Sequence, residues 1–217
     1  MFTFPSSDAT TIHVRTWLPA DAEPRGIVQI VHGMGEHSGR YSHLAERLVD
    51  LGFAVYADDH RGHGHSMGAV PGDLGPDGWD LLVADEVALT RILRERHPGL
   101  PVTLFGHSLG SFAVQQYILD HGDLVDQIVL CGTTAVDGLV ADIAAAGGDL
   151  LTHFNAEFQP TRTDADWISR DEAQVDAYNA DPWCGFAVDA TNMGVLASVA
   201  HTRLADPSTV PPTCRSM

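Results

Sequence analysis

The first 135 residues alternate short apolar runs with amphipathic stretches, and few folds accommodate that alternation. Residues 26–31 (GIVQIV), 53–57, 102–105 and 128–131 are strand-length runs. Between them lie three helical patterns. Residues 42–51 (SHLAERLVDL) stop at Gly52, and residues 79–97 place Leu82, Val83, Val87, Leu89, Ile92 and Leu93 at helical spacing before Pro98-Gly99. The third, 109–120, is closed by Gly122. Unbroken apolar strands separated by helices predict the α/β class, a mostly parallel sheet covered by helices on both faces. Residues 12–17 (IHVRTW) alternate with period two, as a half-exposed edge strand would.

Past residue 135 the texture changes. Residues 137–205 carry helical stretches broken by Gly147-Gly148, Pro160 and Pro182, without a buried strand, and read as a helical insertion. Residues 206–217 form a polar, Pro-rich tail. Acids outnumber bases 29 to 12, a formal charge of −17, and every base is Arg. Nucleic acid and anionic membrane surfaces are therefore not expected partners. No stretch approaches the roughly 18 apolar residues of a membrane span, and the N-terminus lacks a signal-peptide pattern. Cys131, Cys184 and Cys214 are too few and scattered for a disulfide framework or a zinc site. A cytoplasmic location follows as the expectation, with Cys131 a buried small hydrophobe closing its strand.

Gly106-His107-Ser108-Leu109-Gly110 joins the 102–105 strand to the 109–120 helix. A chain reversing within so few residues forces Ser108 into a strained turn, and glycines two before and two after clear space for it. The Ser108 hydroxyl then stands above the sheet as a nucleophile, with helix-terminal amides nearby. His32-Gly33-Met34-Gly35 ends the earlier strand. In an acyl-transfer site the backbone amides of Met34 and Leu109 would form the oxyanion hole.

Two other patterns compete. Gly33-x-Gly35 with Asp58 and Asp59 imitates a dinucleotide site, but Ser38 stands where the third glycine belongs. His60, His63 and His65 suggest a metal cluster, yet the interleaved glycines argue for a tight loop. Neither cofactor nor metal is expected.

VHGMGEHSGRY (31–41), DHRGHGHS (59–66), FGHSLG (105–110) and SRDEAQVDAYNADPW (169–183) together resemble the α/β-hydrolase family of monoacylglycerol lipases and lysophospholipases, within the serine aminopeptidase-like group. The resemblance implies an α/β-hydrolase core over 1–136, a helical cap over 137–205, and a carboxylic-ester lipid substrate attacked by Ser108 through an acyl-enzyme. A peptidase or thioesterase on the same scaffold is the alternative chemistry. Phe154, Trp167, Trp183, Phe186 and Met193 are candidate pocket residues, packing being the alternative for each.

A serine hydrolase of this fold takes its acid and base from loops after the nucleophile, each strand–helix step needing roughly 30 residues. Only twelve residues follow Ala205, so the last strands, the acid and the base are expected to be missing. His107 adjoins Ser108, but neighbours on a tight turn point apart; His32 is needed by its own turn. His201 with Asp189 or Asp206 has the right chain order but lies in a helical pattern. The expectation is a positioned but feeble nucleophile, with a non-catalytic fragment as the alternative. The 128–131 strand would be an unpaired apolar edge, inviting self-association.

Overall fold

The computed structural model describes residues 1–217 except 21, 146–149, 207, 209 and 212–217. Gly147-Gly148, Cys214 and most of the 206–217 tail lie outside the described residues. Six strands form one sheet: β1 (Phe2–Pro5), β2 (Thr11–Trp17), β3 (Gly26–Val31), β4 (Phe53–Asp59), β5 (Val102–His107) and β6 (Gln127–Cys131), in the order β1-β2-β4-β3-β5-β6. The β1–β2 and β2–β4 pairings are antiparallel, and β4-β3-β5-β6 is parallel throughout. The α/β-hydrolase architecture expected from the alternation is present, with an open sheet.

Helices cover both faces. Helix α1 (Ser42–Asp50) packs Leu44, Ala45, Leu48 and Val49 against Val28, Ile30, Val55 and Ala57. Helices α2 (Gly78–Arg96) and α3 (Leu109–His121) cover the other face, where Trp79, Leu82, Leu104, Val114 and Tyr117 form the largest cluster. Each such buried side chain contributes about 1.5–3 kcal/mol. The Trp79 indole N–H is satisfied by Gln116 Oε1 at 2.7 Å, so the largest buried ring leaves no donor stranded.

Residues 136–199 supply α4 (Val136–Ala145), α5 (Leu150–Asn155), α6 (Glu172–Ala180) and α7 (Ala190–Val199), with no strand among the described residues. Leu196 of α7 and the following Ala200 join the main cluster beside Trp79 and Leu82. A separate small cluster gathers Ala165, Val175 and Tyr178.

Two expectations are corrected. Residues 12–17 are not an edge: the short strand β1, overlooked because FTFP is too brief to show a period, covers one side and β4 the other. Ile12 and Val14 are consequently buried. Cys131 is exposed rather than buried. On β6, Ile128 and Leu130 face the main cluster, while Gln127, Val129 and Cys131 face out onto a bare surface. Period two, not the apolarity of the run, decides which side is covered.

Candidate active site

Strand β5 ends at His107 and α3 begins at Leu109, leaving a single residue to turn the chain. That residue, Ser108, has φ 51° and ψ −122°, a conformation that side chains with a Cβ resist. The flanking glycines make the turn sterically feasible. A Cβ at Gly106 would lie 2.8 Å from the Gly110 carbonyl oxygen and from Ser111 Cα, and one at Gly110 would collide with the carbonyls of Val31 and His32. The turn is fixed by the Ser108 N–H donating to the Cys131 carbonyl (3.0 Å) and by Ser111, whose N–H (2.8 Å) and hydroxyl (2.6 Å) both donate to the Ser108 carbonyl.

Ser108 is half-buried and lines a cavity of about 260 Å³ together with Met34, Glu36, His107, Phe154 and Trp167. The Leu109 N–H heads helix α3 and the Met34 N–H lies in the loop after β3. Neither is taken by an acceptor among the described residues, whereas the neighbouring Gly33 and Gly35 amides are both bonded. Helix-end amides without intrahelical partners favour negative charge.

The loop after β3 is held from beneath. Buried Glu36 accepts from the Gly33 N–H (2.7 Å), the Tyr41 hydroxyl (2.7 Å) and Arg40 Nε (3.1 Å), and lies 3.4 Å from His107 Nδ1. Burial works to raise its pKa, but the hydrogen bonds from His107 and Tyr41 prevail and hold the carboxyl at about 2. This carboxylate, which the sequence reading passed over, is part of the cavity lining and is paired with Arg40. The only sign of it in the sequence is its place inside the GMGEHSGRY stretch.

His32, His60 and His63 serve the backbone. His32 Nδ1 donates to the Gly33 carbonyl (2.8 Å) and its Nε2 accepts the His60 N–H (3.0 Å). His63 Nδ1 donates to the Arg61 carbonyl (3.0 Å), while its Nε2 accepts the Gly35 N–H (3.3 Å). Burial, reinforced by neighbouring imidazoles, pushes His32 well below its ordinary range and His63 down to about 4, so both rings stay neutral and keep these tautomers. His60 stacks on His32 with centroids 3.6 Å apart. Burial opposes charge on His60, yet Asp58 and Glu86 prevail and raise it. His65 packs instead on Trp183, so His60, His63 and His65 do not converge on one point.

Of the five pocket candidates, Phe154 and Trp167 line the cavity, stacked with centroids 4.7 Å apart. Trp183 packs on His37 and His65, Phe186 on His63, and Met193 against the main cluster. No described histidine hydrogen-bonds to the Ser108 hydroxyl. His107 shares the cavity wall, but its Nδ1 faces Tyr41 (2.9 Å). Asp189 caps α7 through the Asn192 N–H and also accepts the Leu74 N–H, and exposed His201 makes no bond to it.

The family model Hydrolase_4, described as serine aminopeptidase, S33, matches residues 22–206. The chain is 39% identical over 168 residues to the monoacylglycerol lipase of Mycolicibacterium smegmatis, covering 76% of this chain and 58% of that protein. It is 31% identical over 181 residues to human monoglyceride lipase, covering 82% and 58%. Among solved structures, a thermostable carboxyl esterase from Bacillus coagulans superposes with a TM-score of 0.82 at 30% identity, covering 98% of this chain and 76% of that one. The Paleococcus ferrophilus monoacylglycerol lipase gives 0.61 at 26% identity, covering 88% and 71%. The chain thus spans about three-fifths of the curated relatives it matches. With its open six-stranded sheet and the Gly106–Gly110 turn, this chain belongs to the serine aminopeptidase-like family of α/β-hydrolases.

Proposed function

We propose that this chain carries the nucleophile and oxyanion half of a serine hydrolase that cleaves carboxylic esters of monoacylglycerol type. Ser108 Oγ attacks the ester carbonyl carbon, the carbonyl oxygen takes the negative charge, and the Met34 and Leu109 amides receive it. Collapse expels the alcohol with a proton and leaves an acyl group on Ser108, which water then removes. The observation that carries this reading is the left-handed φ of Ser108 at the head of α3, beside a cavity and two amides with no acceptor among the described residues. Phe154 and Trp167 at the apolar wall suit an acyl chain, and the Glu36 carboxylate suits a hydroxylated head group; the monoacylglycerol lipase relatives fit both. The core over 1–136 and the cap over 137–205 divide these roles in the proposal.

We assign no acid or base to the described residues. Loss of the base in a comparable triad costs on the order of 10⁶ in turnover, with about 10³–10⁴ over water remaining. The test is to expose the chain to a fluorophosphonate probe and a short p-nitrophenyl ester beside Ser108→Ala. Slow labelling and hydrolysis that vanish in the variant are expected; equal signals from both proteins overturn the reading. The family description favours one second reading, a peptidase, and faster cleavage of an aminoacyl anilide than of the ester would select it.

A further inference from the structure

Beneath the loop after β3 lies a cluster that ester hydrolysis does not use. Asp58 on β4, His60 just beyond it and Glu86 on α2 are each 2% exposed or less. Their ligating atoms all lie within 4.8 Å of one another. His60 Nδ1 is 3.1 Å from Asp58 Oδ2 and 3.2 Å from Glu86 Oε1. Two carboxylate oxygens here, Asp58 Oδ1 and Glu86 Oε1, are buried and receive no hydrogen bond from any described residue. Such orphans inside a folded core call for a ligand.

The surroundings decide which atoms are offered. His60 Nε2 points at the His32 carbonyl at 3.0 Å, which only a donor can do, so the Nε2 proton is fixed and Nδ1 presents its lone pair to the carboxylates. Glu86 Oε2 is held by Gln29 Nε2 at 2.7 Å, which leaves Oε1 turned toward His60. These are the outer contacts that orient metal ligands in known centres. Donors bound tetrahedrally at about 2.0–2.1 Å stand about 3.3 Å apart, close to the spacings found here.

We propose that Asp58, His60 and Glu86 form a buried three-residue site for a divalent cation of the zinc class. The donors are His60 Nδ1, Glu86 Oε1 and one oxygen of the Asp58 carboxylate. Two carboxylates and a neutral imidazole carry a charge of −2, which the ion cancels, so the cluster holds no net charge. The ion would brace the His60–His32 stack, and through it the Gly33 carbonyl.

The test is zinc content. The chain is produced with ZnCl₂, washed briefly with EDTA to strip ions from its exposed histidines, desalted and analysed by inductively coupled plasma mass spectrometry. Wild type is expected to retain about one zinc per chain and Glu86→Gln close to none, with the zinc-loaded wild type melting at least ~5 °C above the metal-free protein. X-ray absorption should show an oxygen and nitrogen shell without sulfur. Wild-type content below about 0.1 zinc per chain, equal retention in Glu86→Gln, or a sulfur ligand overturns the assignment. Should Glu86→Gln not fold, the wild-type content, melting shift and absorption shell decide. None of these measurements depends on esterase activity.

Discussion

The strained turn at Ser108 makes a stability prediction of opposite sign to most substitutions, which destabilise. At φ 51° and ψ −122° any residue with a Cβ is penalised by about 1–3 kcal/mol, and glycine is not. Ser108→Ala removes the hydroxyl and keeps the Cβ, whereas Ser108→Gly removes both. Comparing these two variants cancels the effect of the hydroxyl and isolates the backbone. Glycine's extra freedom in the unfolded chain takes back about 0.5–1 kcal/mol, leaving a net gain of about 1 kcal/mol. For a domain of this size that raises Tm by about 2–4 °C. Calorimetric or circular-dichroism melts of the two proteins in the same buffer read the difference. A Ser108→Gly protein melting at or below Ser108→Ala would refute strain at this position, and with it the tension that aims the hydroxyl.

Glu36→Gln should destabilise the chain on the order of 2–3 kcal/mol at pH 7, because a carboxyl held at about 2 contributes stability above its unfolded pKa of 4.5 and loses it as pH falls toward 2. The gap between urea melts of the two proteins should therefore narrow steadily as pH falls from 4.5 toward 2; a constant gap would contradict the linkage. Gly110→Ala drives a methyl into the Val31 and His32 carbonyls and should cost more than about 3 kcal/mol, read as loss of the cooperative thermal transition. A mild shift would mean that α3 can back away from β3. Exposed Val129 on β6 should promote self-association, visible in sizing chromatography, which Val129→Lys should reverse; a monodisperse wild-type monomer would contradict this.

Much of the architecture was legible because buried parallel strands must be apolar on both faces, and 26–31, 53–57 and 102–105 are. The turn around Ser108 was legible for a related reason: strand, glycines, serine and helix follow one another without a gap, so local geometry sufficed. What escaped the sequence is pairing over distance. Glu36, Tyr41 and His107 meet only when the loop after β3 is laid beside the end of β5, and Asp58 meets Glu86 only across the sheet–helix interface. Cys131 misled because a short apolar run carries no record of whether a neighbour will cover its second face. Trp183 and Phe186 were expected beside the pocket, but they pack on histidines of the 31–65 segment, a contact that aromatic composition does not foretell.

The amide of Ser108 is itself a rung between β5's end and β6, through the Cys131 carbonyl. The proposed nucleophile's turn is thereby moored to β6, an edge of the sheet among the described residues. Fraying at that border would reach the serine at once, so whatever seals the border also keeps the serine aimed.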